Sequence, residues 1–378
     1  MRYEIDLACG RLSIDTTKEA LPLEELLGFA TRRNPKRGFL FVSKVLGKHV
    51  PCRPSRMRAI YDLLIEPLCA MPTPILVMGM AETATGLGGG IADSLAAQRA
   101  GADSVIYQHT TRHTVPATEL ARFDEVHSHA PDHIVYAPQP VLAHDYHNAQ
   151  TLVLVDDEIT TGRTLTRLAE TMIRHLPRLQ HIVFASIVNW LDADARTSAI
   201  AQRLRLSPSF ANVLEGGFSF VRNPRFHAEL PGQLTAQREV EVRADIGRRG
   251  LRMGCWEHKL VPPTAALDRQ RPVYVIGTGE LGYQPFLLAE QLERQGFDVY
   301  YQSSTRSPIA PGGAIASSIS FEDEHGEGVT SYLHNPPPTT AQVLVVYEAP
   351  HCAYNHTLSE QLNAIPVILP GFDRRVSA

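Results

Sequence analysis

Residues 151–165 (TLVLVDDEITTGRTL) constrain the fold of this chain more than any other stretch. The apolar run from Leu152 to Val155 has the composition of a strand buried on both faces of a parallel sheet. It stops at two adjacent acids, Asp156 and Asp157, and a polar turn follows. Apolar residues then recur at Leu165, Leu168, Met172 and Leu176, spaced for one face of a helix. Strand, glycine-bearing turn and helix make a phosphate cradle in α/β proteins. N–H groups at the helix start lack partners and point at the anion, and Thr hydroxyls add donors. Gly162 lets the backbone approach without a side chain in the way. The carboxylates would repel a phosphate, so they must face something else. Sugar hydroxyls or a hydrated divalent cation suit them. A sugar with a phosphate at one end and hydroxyls in the middle fits both halves; an ordinary strand–turn–helix with an N-cap is the plain alternative.

VDDEITTGRT resembles the phosphoribosyl pyrophosphate (PRPP) signature of type I phosphoribosyltransferases, in its orotate-type form. The resemblance implies that Asp156 and Asp157 bind the ribose hydroxyls and Mg²⁺. It also implies that Thr160, Thr161, Gly162, Arg163 and Thr164 form the 5-phosphate loop. Residues 75–79 (ILVMG) read as another buried strand, and a helix is expected through about Ala100. By position, Met80, Ala81, Glu82 and Thr83 would be the pyrophosphate loop of the family, although Glu82 is unusual there. Residues 108–138 form a long polar stretch with His109, His113, His127, His129 and His133. Such stretches inside a compact domain are functional or disordered. The resemblance places a mobile, closing loop here, with Arg112 as the cation that reaches pyrophosphate. Glu125, His127 and His129 alternate as on one strand face. A general-base or acceptor site, a metal site and a polar strand edge all remain open for them.

A chain of 378 residues with 44% hydrophobic and 20% charged residues points to two or three domains with ample core. No apolar run approaches the roughly 20 residues of a membrane helix, and MRYEIDLACG does not read as an export signal. Five scattered cysteines without a CxxC pair argue for a reducing, cytoplasmic setting and against a structural zinc site. Residues 31–60 carry Arg32, Arg33, Lys36, Arg37, Lys44, Lys48, Arg53, Arg56 and Arg58 and no acid. They suit a cationic hood beside a phosphate site or a solvated basic face. Nucleic-acid binding is a weaker reading of one basic stretch. Gly216–Gly217 reads as the turn of a hairpin over residues 208–228.

The second half echoes the first. VYVIG at residues 273–277 answers ILVMG, and Glu280 follows Gly277 as Glu82 follows Gly79. Ser304, Thr305 and Arg306 answer Thr110, Thr111 and Arg112. Opposite Asp156 and Asp157 stand Glu348 and Ala349, with no phosphate loop beyond them. TRSP at residues 305–308, RRNPKRGFLFVSKVLGKH and AETATGLG resemble bacterial proteins, associated with tellurite-resistance stress operons, that join a phosphoribosyltransferase to a TRSP domain. The expected fold is α/β. A parallel sheet flanked by helices (residues 71–260, after a basic segment 1–70) is followed by a linker (261–272) and a degenerate phosphoribosyltransferase-like domain (273–378). The expected function is transfer of phosphoribosyl from Mg²⁺–PRPP to a nucleobase-like acceptor, in making a nucleoside-like metabolite. A homodimer is compatible with this. A non-catalytic PRPP sensor and an RNA- or partner-binding scaffold are the alternatives.

Overall fold

The computed structural model describes residues 1–32, 37–99, 104–123, 133–192, 195–226, 242–254, 260–354 and 357–371. The chain opens with β1 (Arg2–Leu7), β2 (Gly10–Glu19), α1 (Leu23–Leu26), β3 (Leu27–Thr31), β4 (Phe39–Ser43) and α2 (Pro54–Ile65). The centre follows as β5 (Ile75–Gly79), α3 (Thr85–Gln98), β6 (Val105–His109), β7 (Glu119–Phe123), β8 (His133–Tyr136), α4 (Ala143–His147), β9 (Thr151–Val155), β10 (Glu158–Ile159), α5 (Arg163–Ile173), β11 (His181–Asn189), α6 (Ala195–Leu204), β12 (Ser209–Arg222) and β13 (Leu251–Arg252). The last third holds β14 (Val273–Gly277), α7 (Tyr283–Arg294), β15 (Val299–Ser303), β16 (Ser318–Glu322), β17 (Thr330–His334), β18 (Gln342–Tyr347), α8 (Pro350–Tyr354), α9 (Thr357–Gln361) and β19 (Ile365–Ile368).

The larger sheet runs β1-β2-β12-β11-β9-β5-β6-β13, with β10 beside β11. Its core of β12, β11, β9, β5 and β6 is parallel, and antiparallel strands close both sides. Every residue of β5, β6 and β9 is buried; β5 and β9 are the continuous apolar runs of a sheet covered on both faces, and β6 ends in the buried polar pair Gln108 and His109. The hairpin expected at residues 208–228 is instead one strand. β12 pairs with β11 in its first half and β2 in its second, and the register shifts between Glu215 and Gly216. The register skips Thr17, so the extra residue of this bulge lies on β2; Gly216 permits the close approach there, since a Cβ would overlap Asp15 O.

The smaller sheet, β15-β14-β18-β19, repeats the order β6-β5-β9-β11 with all strands parallel. Side-chain hydrogen bonds repeat too. Thr110 Oγ1 accepts from Ala81 N at 2.9 Å, and Ser304 Oγ accepts from Gly279 N at 2.9 Å. Gln108 Nε2 donates to Tyr136 O, as Gln302 Nε2 donates to His334 O. Antiparallel pairs β7–β8 and β16–β17 occupy matching places.

One face of the smaller sheet joins the core of the larger, and its other face has a core of its own around Ile276, Val345 and Tyr347. Helix α3 packs on α7, and a Cβ at Gly89 would overlap the Tyr283 ring. Gly89 and Gly90, where a Cβ would overlap Tyr283 of α7 and Tyr61 of α2, therefore serve close helix packing, and Gly88 lets α3 approach Gly79 of β5. The basic segment lies between the sheets. Cys52 and Tyr301 exchange backbone hydrogen bonds at 2.9 and 2.8 Å, and Gly47 O accepts from Ser303 N at 2.8 Å.

Candidate functional site

Strand β9 ends at Val155, and Asp156 N still bonds Ala185 O at 3.1 Å. The chain then turns. Asp157 N donates to Asp156 Oδ1 at 3.0 Å, and both aspartates are half-buried. Glu158 and Ile159 rejoin the sheet beside β11. Gly162 follows with φ +64°, the left-handed conformation that glycine adopts at no steric cost, and α5 begins without a side-chain cap. The first-turn N–H groups of this 11-residue helix lie beyond reach of the helix's own carbonyls. Thr160 and Thr164 are half-buried, Gly162 is buried, and Thr161 and Arg163 are exposed. Leu165, Leu168 and Met172 anchor the helix in the core.

The loop after β5 comes to the same edge. Met80 N donates to Val155 O at 2.9 Å, which fastens this loop to the residue before the acid pair. Ala81 N bonds Thr110 Oγ1, and the Ala81–Glu82 peptide is cis. The amides of Met80 and Ala81 are thus already engaged within the fold. Of the four residues expected to hold pyrophosphate, Glu82 and Thr83 are the two half-buried ones. The Glu82 carboxylate pairs with Lys48 at 3.0 Å, a lysine side chain only 4% exposed.

Arg112 leaves the end of β6 toward this loop. One Nη lies 3.5 Å from Ala81 O and 3.3 Å from His133 Nε2. Its backbone is held in place: Thr111 exchanges bonds with Ile134, and Arg112 N donates to Glu280 Oε1 at 2.7 Å. Arg112 therefore stands at the base of the β7–β8 pair and not out on a long loop. His127 and His129, with Glu125, lie outside the described residues. The acid pair, the Thr/Gly turn, the 80–83 loop and Arg112 thus meet at the carboxyl ends of β9, β5 and β6, where open α/β sheets bind ligands.

Three side chains at this edge escape a sequence reading. Lys48 reads only as one cation of a basic run. Glu280 echoes Glu82 in sequence, yet its carboxylate accepts from Thr111 Oγ1 at 2.6 Å and from Arg112 N, in the other half of the chain. Arg248, 1% exposed, bridges Glu280 at 3.0 Å and Glu348 at 2.9 Å. Burial works to raise the Glu280 pKa, but His113 and Arg248 outweigh it and hold the carboxyl well below its ordinary value. Nearby, burial depresses His109 to about 4, so its imidazole is neutral. Further cations of the basic segment are also internally paired: Arg37 with Glu158 at 2.6 Å, and Arg58 with Asp93 and Glu290 at 2.8 Å each.

A family model described as "phosphoribosyl transferase" matches residues 26–217, just over half of the chain. A second, described as the TRSP domain C-terminal to that transferase, matches residues 255–362. No curated protein matches. Among solved structures, APRTase from Giardia lamblia complexed with 9-deazaadenine is 16% identical; the match covers 52% of this chain and 98% of that one, with a TM-score of 0.35. Adenine phosphoribosyl transferase from Trypanosoma brucei is 14% identical over 52% of this chain and 82% of its own, with a TM-score of 0.35. Orotate phosphoribosyltransferase from Francisella tularensis is 17% identical over 42% and 67%, with a TM-score of 0.26. No helix of the described residues is long and apolar enough to cross a membrane.

Proposed function

We infer what this chain does from one premise: it belongs to the phosphoribosyl transferase family, and so to the pentosyltransferases. We propose that it binds PRPP at the carboxyl edge of β9, β5 and β6 and passes the phosphoribosyl group to a nucleobase-like acceptor, releasing pyrophosphate. The observation that carries this reading is the Met80 N–Val155 O bond, which ties the 80–83 loop to the Asp156–Asp157 turn. On this reading Asp156 and Asp157 accept from the ribose hydroxyls. The 5-phosphate lies at the start of α5, on its first-turn N–H groups and the Thr160 and Thr164 hydroxyls. The backbone at Glu82 and Thr83 faces pyrophosphate, with Arg112 beside it.

Hard carboxylate oxygens, half-buried at a sheet edge, are a donor set that suits Mg²⁺. When bound, Mg²⁺ would be held by Asp156 and Asp157 and would offset the charge of the phosphates. The remaining work falls to the protein. Arg112 meets the negative charge that grows on departing pyrophosphate, so its attraction is strongest in the transition state. Glu280, by holding the Arg112 backbone, sets where that cation stands. No covalent intermediate is required; orientation and exclusion of water carry the reaction. Transferase unit, linker and degenerate domain are the organisation that goes with this function, with β1 and β2, ahead of the expected start at residue 71, joining the transferase sheet.

The test is PRPP binding by calorimetry with Mg²⁺ present, together with pyrophosphate release across a panel of bases. Replacing both acids (Asp156→Asn, Asp157→Asn) removes charge-assisted hydrogen bonds of about 1.5–3 kcal/mol each, so affinity should fall roughly 10²- to 10⁴-fold. Unchanged affinity in a folded double variant contradicts the assignment.

A further inference from the structure

The second sheet holds a cluster of another chemistry where the first has its acid pair. His325 comes from the connection between β16 and β17, and His351 and Cys352 from α8, just past the end of β18. One ligand atom from each lies within 4.8 Å of the others. Cys352 Sγ is 3.6 Å from His325 Nδ1. Zn–S and Zn–N bonds of about 2.3 and 2.05 Å at a tetrahedral angle put sulfur and nitrogen about 3.55 Å apart, so this edge already fits a shared ion.

We propose that His325, His351 and Cys352 form a transition-metal site, Zn²⁺ by the chemistry of its ligands, in the place where the second sheet has lost its sugar-phosphate turn. One thiolate and two imidazoles are a borderline-soft set that favours zinc over the hard cations.

The surroundings supply what such a site needs. His325 Nε2, the nitrogen turned away from Cys352, faces Glu324 Oε1 at 3.8 Å and Glu348 Oε1 at 3.9 Å. These separations exceed a hydrogen bond, so the two carboxylates act on His325 through charge and favour a cation at its other nitrogen. The loop is braced: Asp323 accepts from the backbone N–H of His325, Glu327 and Val329 at 2.9–3.0 Å. Cys352 is 0% exposed, which speaks against a Cys–His nucleophile, whereas half-buried His351 leaves an entry for an ion. Five dispersed cysteines hide the site in the sequence, because the ligands are brought together only by folding. His325 also packs on His113, ring centroids 4.8 Å apart, next in chain to Arg112. The site therefore lies against the backbone that presents the first domain's cation.

The full chain, purified with zinc in the medium and dialysed, should carry one zinc per chain by plasma mass spectrometry. The Co²⁺-substituted protein should show a thiolate-to-metal charge-transfer band. Cys352→Ser should abolish that band. His351→Gln, at a half-buried position that does not endanger the core, should lower metal affinity at least tenfold. The Asp156→Asn, Asp157→Asn variant should keep its metal, so loss of PRPP binding and loss of this site are read separately. Substoichiometric metal with no cobalt band, or unaltered metal affinity in His351→Gln, overturns the proposal.

Discussion

Replacing Arg248 with methionine tests the ionic junction between the two halves. The guanidinium is 1% exposed and sits 3.0 Å from Glu280 and 2.9 Å from Glu348, each only 3% exposed. It also donates to Thr111 Oγ1 at 3.2 Å and Arg243 O at 2.7 Å. At an effective dielectric of about 20, each pair attracts by about 5.5 kcal/mol. Desolvation offsets much of that in the native protein. The variant keeps the desolvation of two carboxylates and loses their counter-charge, so we expect a loss of about 3–5 kcal/mol. Urea unfolding at pH 7, followed by circular dichroism, measures it. Adding Glu280→Gln and Glu348→Gln to Arg248→Met should recover most of the loss, because neutral amides need no counter-charge. A single-variant loss under about 1 kcal/mol, or a triple variant no more stable than the single, would refute the view that uncompensated charge governs this junction.

Other consequences are open to direct measurement. Lys48→Met leaves Glu82 without its partner beside the expected pyrophosphate loop. PRPP affinity should drop about 10- to 100-fold, and Glu82→Gln in that background should restore part of it, by calorimetry. Gly90→Ala drives a Cβ into the Tyr61 ring and should cost about 1–3 kcal/mol of stability in denaturant titrations, with unchanged stability as the contrary result. Burial keeps His49, His109, His325 and His334 below the ordinary histidine range. Below about pH 6.5 the unfolded chain binds protons that these native histidines refuse, so each takes away up to about 1.4 kcal/mol per pH unit. Glu324, pushed up to about 7 by burial, and Glu158, raised by burial, act in the opposite sense but are fewer. The melting temperature should therefore fall between pH 7 and pH 5; a flat or rising profile contradicts this.

The parallel core was legible because strands covered on both faces must be apolar throughout, and β5, β9, β14 and β18 show as uninterrupted runs. The turn after β9, with Gly162 in the left-handed conformation, was legible because a strand end, a glycine and a helix start are set by neighbours in sequence. The order of features in the second half announced its strand order for the same reason. Contacts made at long range were not. Arg248 meets Glu280 and Glu348 across 32 and 100 residues, and no local pattern pairs them. Gly216–Gly217 reads as a turn since a turn and a close backbone approach, as at Gly216, both favour a residue without a side chain; only the partner strand decides. The glycine run after β5 carries no sign in the sequence of its purpose, which at Gly89 and Gly90 is set by Tyr283 and Tyr61 on other helices.

The hairpin of β1 and β2 has a consequence for how the protein is handled. Against β2 lies the second half of β12, a 14-residue strand, and Leu12 and Ile14 of β2 are wholly buried. The outermost strand, β1, alternates Arg2, Glu4 and Asp6 toward solvent, a charged border that discourages docking by another chain. Trimming the first twenty residues would strip that border and bare a long ladder of unmet amides and carbonyls. Such a shortened protein should self-associate through its β12 margin even with the carboxyl edge of β9, β5 and β6 intact.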